Sequence, residues 1–195
     1  MSLMPCFKPG QAFDEGIILG QLLTGYGELE VGMCSCLIAV EGMFDRPIRT
    51  LFRSPGAESR IKIAEGALKS DFTNAGLVAD LMQALDDLDW CREIRNQYSH
   101  CQWYWTAHDG LCFVNLEELA KQTATITRLM ENKHPINVAL LTAQEEFFWY
   151  VKECFNHLHS AYRAWYQGRA RGGAPGPAPF VYPKPAAQTR PPAHN

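Results

Sequence analysis

The chain has 195 residues, 47% of them hydrophobic and 20% charged, with a formal net charge of −3. That balance excludes a disordered polyampholyte and suits a single globular core with room for a tail. No run reads as the roughly 18–20 apolar residues of a membrane span. The start, Met1 to Gly10, lacks a basic stretch followed by an apolar one, so no membrane association and a cytoplasmic location are expected.

The elements follow from hydrophobic period. Residues 11–44 carry Phe13, Ile17, Leu22 or Leu23, Tyr26, Leu29, Met33, Leu37, Val40 and Phe44 at helical spacing, with Pro47 as the stop. Gly16, Gly20, Gly27 and Gly32 lower helix propensity there but allow a close backbone neighbour. After a break at Arg53-Ser54-Pro55-Gly56, a helix over about 57–70 presents Ile61, Ala64 and Leu68. The next, about 74–99, shows Leu77, Leu81, Leu85, Leu88, Cys91 or Arg92, and Arg95 at steps of three and four. Residues 102–114 change to alternation around Asp109-Gly110, which predicts a small β-hairpin. Asn115-Leu116-Glu117-Glu118 reads as a capping box opening a helix to about 133, with Pro135 as its stop. The last helix, about 137–167, has an apolar face of Val138, Leu141, Phe148, Val151, Phe155, Leu158, Tyr162 and Trp165. The expected fold is all-α: an antiparallel bundle of about five helices with a hairpin insertion, occupying residues 1–167.

Residues 168–195 differ. They hold seven of the twelve prolines, four glycines, four cations (Arg169, Arg171, Lys184, Arg190) and no acid. The remaining body therefore carries 14 cations against 21 acids, a balance of −7. Without a periodic apolar stripe the segment is expected to be a disordered basic arm, either a solvated end or a contact for nucleic acid or an acidic partner.

Cysteines 6, 34, 36, 91, 101, 112 and 154 form an odd, scattered set. Reduced, buried thiols fit that pattern better than a disulfide framework. Cys34-x-Cys36 and Cys154-x2-His157-x-His159 are the only close groups, and neither has a partner pair at zinc-site spacing. No metal and no cofactor are expected.

A helical bundle has no intrinsic function, so function is sought where polar residues enter an apolar stripe. Arg95 lies two turns after Leu88 and would continue the buried face, where a guanidinium needs a partner. His100 would point about 140° away in a continuing helix, but could swing back if the helix frays near Ser99. Together they offer a fixed cation and a proton carrier titrating near neutrality.

Arg95-Asn96-x3-His100 resembles the R-x4-6-H signature of the HEPN family, in which a polar residue often follows the arginine and the motif ends a core helix of a bundle. The spacing is loose: Arg128-x5-His134 also satisfies it, but lacks the asparagine and ends before a proline. The resemblance implies a metal-independent endoribonuclease, of toxin or phage-defence type, working as a homodimer with its motifs facing across a cleft. It implies His100 as acid or base, Arg95 as the phosphate clamp and Asn96 as an orienting residue. A nucleotidyltransferase-like antitoxin, where the family has one, is encoded separately. Other members are non-catalytic dimeric modules that bind RNA, nucleotides or proteins. Trp103 and Trp105, on one face of a strand, suit stacking on unpaired bases and equally suit packing of the hairpin.

Overall fold

The computed structural model describes residues 12–185, apart from 124, 127, 174, 175 and 177. In chain order the elements are α1 (Phe13–Glu41), α2 (Asp45–Phe52), α3 (Ala57–Asn74), α4 (Val78–Ser99), β1 (Cys101–Thr106), β2 (Gly110–Asn115), α5 (Leu116–Ala120), a single 3-10 turn (Leu129–Asn132), β3 (His134–Pro135) and α6 (Val138–Ala170). The protein is a mostly helical bundle with a small antiparallel sheet of order β1-β2-β3.

The described chain forms two compact units. One comprises Ala12–Gly25, Glu93–Phe147 and Pro185; the other comprises Tyr26–Arg92 and Phe148–Lys184. The regular secondary structure of the second unit is all helical. Its core draws Leu29, Met33 and Leu37 from α1, Leu51 from α2, and Leu68 and Phe72 from α3. From α4 it takes Leu81, Leu85 and Leu88, and from α6 Val151, Phe155 and Leu158. Phe72 stacks on Tyr162 at 5.0 Å, and Glu30, 6% exposed, is neutralised by Arg60 at 2.8 Å. Of the glycines expected to admit a neighbour, Gly32 does so: a Cβ there would lie 3.1 Å from the Phe155 Cβ, whereas Gly20 and Gly27 have nothing within 4 Å.

Several boundaries correct the sequence reading. The first helix ends at Glu41, where the Gly42 amide closes onto the Ile38 carbonyl, and a separate α2 follows. Pro47 is not a stop but sits in the first turn of α2, where its missing N–H has no helical acceptor to lose. Phe13, Ile17 and Phe44 are exposed, and the buried face of α1 begins at Leu19. That helix is long and apolar enough to cross a membrane by length and composition, contrary to the reading of its sequence. Between α3 and α4, Leu77 N donates to Phe72 O and Gly76 N to Thr73 O, a Schellman turn that needs the positive φ of Gly76. The pair of helices thus divides at 75–77 and not at 70–74.

The first unit holds the sheet. β1 and β2 pair with Trp103 opposite Phe113, and β3 adds His134 opposite Phe113. Tyr104, Val114 and Leu119 form a small buried cluster. The helix expected over 115–133 is reduced to the five residues of α5. Its Asn115 cap is real, accepting from the Glu117 and Glu118 amides at 3.0 and 3.1 Å. The following Thr123, Thr125, Ile126 and Thr127 give a β-branched run with poor helix propensity and no stripe to bury. At the other end, α6 continues to Ala170, three residues into the segment read as tail. Residues 186–195 of that segment, and Cys6, lie outside the described residues.

Candidate functional site

The last turn of α4 belongs to the first unit and positions the motif. Its inward stripe runs through Ile94 and Tyr98, both no more than 2% exposed. Tyr98 is anchored twice, by its hydroxyl donating to Gln144 Oε1 at 2.8 Å and by edge-to-face contact with Phe113 at 5.5 Å. Ile94, three residues after Cys91, takes the buried position expected for Arg95. Arg95 is instead half-buried on the flank, where a guanidinium keeps part of its hydration.

Arg95 Nη1 donates to Asn96 Oδ1 at 2.8 Å, so these two motif residues are brought together. Helix α4 ends at Ser99, and His100 is the first residue beyond it. Its carbonyl accepts from the Leu116 amide at 3.1 Å, which ties the end of α4 to the start of α5. Its ring meets Glu117. Nε2 lies 3.6 Å from Glu117 Oε1, with both side chains 57% exposed. Glu117 is the partner the sequence reading missed; its place in the first turn after the Asn115 cap was the available signal.

Neighbouring groups are poor nucleophiles. Cys101 donates its thiol to Gln97 O, and burial, then Glu118 and Glu117, push its pKa up to about 12. It stays a thiol at neutral pH. Trp103 is packed between Tyr98 (5.9 Å) and Phe113 (5.4 Å), while Trp105 is 39% exposed beside the hairpin turn. The two indoles therefore differ: the first is largely hairpin core, the second reaches solvent. His134 packs on Phe113 at 5.3 Å and lines a cavity of about 300 Å³ with Asn115, Glu118, Gln122, Glu131 and Asn132.

Six cysteines (34, 36, 91, 101, 112 and 154) are free. Among the described residues no three His, Cys, Asp or Glu side chains converge as metal ligands. No family model, no curated protein and no solved structure matches the chain.

Proposed function

We propose that the chain is a HEPN-like, metal-independent endoribonuclease of the toxin or phage-defence kind. The observation that carries this reading is the end of α4, where Arg95 is joined to Asn96 and His100 follows at once, exposed and partnered by Glu117. In the reaction, an imidazole removes the proton of a ribose 2′-hydroxyl, and that oxygen attacks the adjacent phosphorus. The bond to the 5′-oxygen breaks, and a second imidazole, protonated, donates to the leaving oxygen. The products are a 2′,3′-cyclic phosphate and a 5′-hydroxyl. Arg95 offsets the charge growing on the non-bridging oxygens, with Asn96 holding its fork. Each chain supplies one such histidine, so a homodimer provides base and acid. Trp105 is the ring free to stack on an unpaired base.

A second reading is a HEPN-like dimeric binding module without turnover. It is favoured by the acidic setting: Glu117 at the ring, Glu118 beside it, and a body at −7 that repels a polyanion. Cleavage of a structured RNA by the purified chain separates the two. His100→Ala and Arg95→Ala should each lower the rate by about a hundredfold or more, as loss of an acid–base group does. His108→Ala should not, since that ring is 95% exposed on the hairpin loop. EDTA should leave cleavage intact. Cleavage that persists in His100→Ala, or stops with EDTA, overturns the nuclease reading. RNA retained without cleavage by the wild type supports the module.

A further inference from the structure

The second unit contains a groove between α4 and α6 that no part of the motif uses. Asp80, Gln83 and Ala84 line its α4 side and Tyr150, Cys154 and His157 its α6 side, around a residual cavity of about 50 Å³, with Asp87 one turn further along α4. Asp87 is 5% exposed. Its Oδ1 accepts from Gln83 Nε2 at 3.1 Å, and its charge is met by Lys184 Nζ at 2.6 Å. A carboxylate taken out of water without a cation is strongly destabilised. Lys184 is the only lysine or arginine bonded to it among the described residues. Four residues earlier, Phe180 enters the same groove, at 5.1 Å from the His157 ring and 5.8 Å from Tyr150. The Tyr182 ring, 59% exposed, lies 5.6 Å from that of Phe180, while Val181 is 84% exposed. Phe180 is thus the half-buried residue of this stretch, Val181 and Tyr182 face water, and Lys184, itself 40% exposed, turns its ammonium onto Asp87.

Helix α6 ends at Ala170, and the sequence of residues 171–179 contains no aromatic or large aliphatic residue. An arm with no apolar stripe thus carries an aromatic, Phe180, and a lysine four residues on, at the spacing that the groove accepts. A short tether keeps such a segment at millimolar effective concentration, so modest contacts suffice to hold it.

We propose that the α4/α6 groove is a docking site for an extended Phe-x-x-x-Lys peptide, occupied by this chain's own residues 180–184 as a detachable latch. Cys154 reports on it. It lines the cavity against Phe180, is 8% exposed, and burial together with nearby carboxylates holds its thiol at about 11. Opening the latch uncovers Cys154 while Cys36 and Cys91, both 0% exposed, stay in the core.

The test is thiol labelling of the full chain, resolved by peptide mass spectrometry. Phe180→Ala and Lys184→Ala should each speed labelling of Cys154 by about tenfold or more, as expected when a local opening replaces a closed state, with Cys36 and Cys91 unchanged. Phe180→Ala keeps the charge on Asp87 matched, so its result stands even if Lys184→Ala unfolds. A synthetic peptide of residues 178–184, added at millimolar concentration to Phe180→Ala, should restore slow labelling of Cys154; the same peptide with glutamate for lysine should not. An unchanged Cys154 rate in Phe180→Ala overturns the proposal. So does a common rise at all three cysteines, which would make the segment part of the global fold, and so does a peptide that gives no protection.

Discussion

At Gly32 a methyl group would meet the Phe155 Cβ at 3.1 Å, whereas at Gly27 nothing lies within 4 Å. Replacing glycine by alanine inside a helix stabilises by about 0.5–1 kcal/mol, but overpacking costs about 1–3 kcal/mol. Gly27→Ala should therefore raise the melting temperature and Gly32→Ala should lower it, which a pair of calorimetric scans decides. Tyr98 gives a second residue-scale test. Its hydroxyl is bonded to Gln144, which is 1% exposed and whose Nε2 has no partner among the described residues. Tyr98→Phe leaves the amide oxygen unpaired as well, a loss of about 1–3 kcal/mol in denaturant melts.

At the scale of elements, α5 is only five residues long and depends on its cap. Asn115 bonds two helix amides and also donates to Gln97 O at 3.3 Å. Asn115→Ala should cost about 1–2 kcal/mol and loosen the turn that carries Glu117. On the proposed mechanism, a loss of RNA cleavage in that variant with His100 intact would make Glu117 a positioning residue. Glu117→Ala should then lower the rate as well, and Glu117→Gln, which keeps the shape, should retain part of it. The hairpin offers a pH test. Hydrogen bonds from Lys133 and then His108 hold the Asp109 carboxyl well below the usual carboxylate range. A folded-state pKa lowered in this way stabilises the ionised hairpin at neutral pH, and that contribution disappears as acid protonates the group. Asp109→Asn should remove the acid sensitivity of the hairpin amides in NMR, and added salt should weaken the effect because the site is open to solvent.

For the whole molecule, the proposed nuclease needs two histidines at one phosphate, and each chain supplies one at this position. Light scattering at tens of micromolar should report a dimer. A monomer at that concentration that still cleaves RNA would require a second proton carrier in the same chain. The dimer and the latch are separable, because Phe180→Ala acts on the second unit and should leave the assembly state alone.

The long helices and the hairpin were legible from period alone, because a stripe at steps of three and four and an alternation around Asp109-Gly110 are local signals. The cap at Asn115 was equally local. The short α5 was not read, since its cap and acidic first turn resemble those of a long helix while the β-branched run beyond them was outweighed. The place of Arg95 depended on one residue of phase: Leu88 to Arg95 is two turns, but Cys91, Ile94 and Tyr98 pack inward and turn Arg95 to the flank. His100 faces Glu117 because the sheet returns the chain beside the end of α4, a pairing of residues 17 apart that no spacing rule contains. The same holds for Lys184 and Asp87, 97 residues apart, where a composition typical of a solvated arm concealed a fitted contact. Sequence determined which segments become helix or strand, because those preferences are set by near neighbours. Only the tertiary structure decided which polar groups meet, because that depends on where the chain returns.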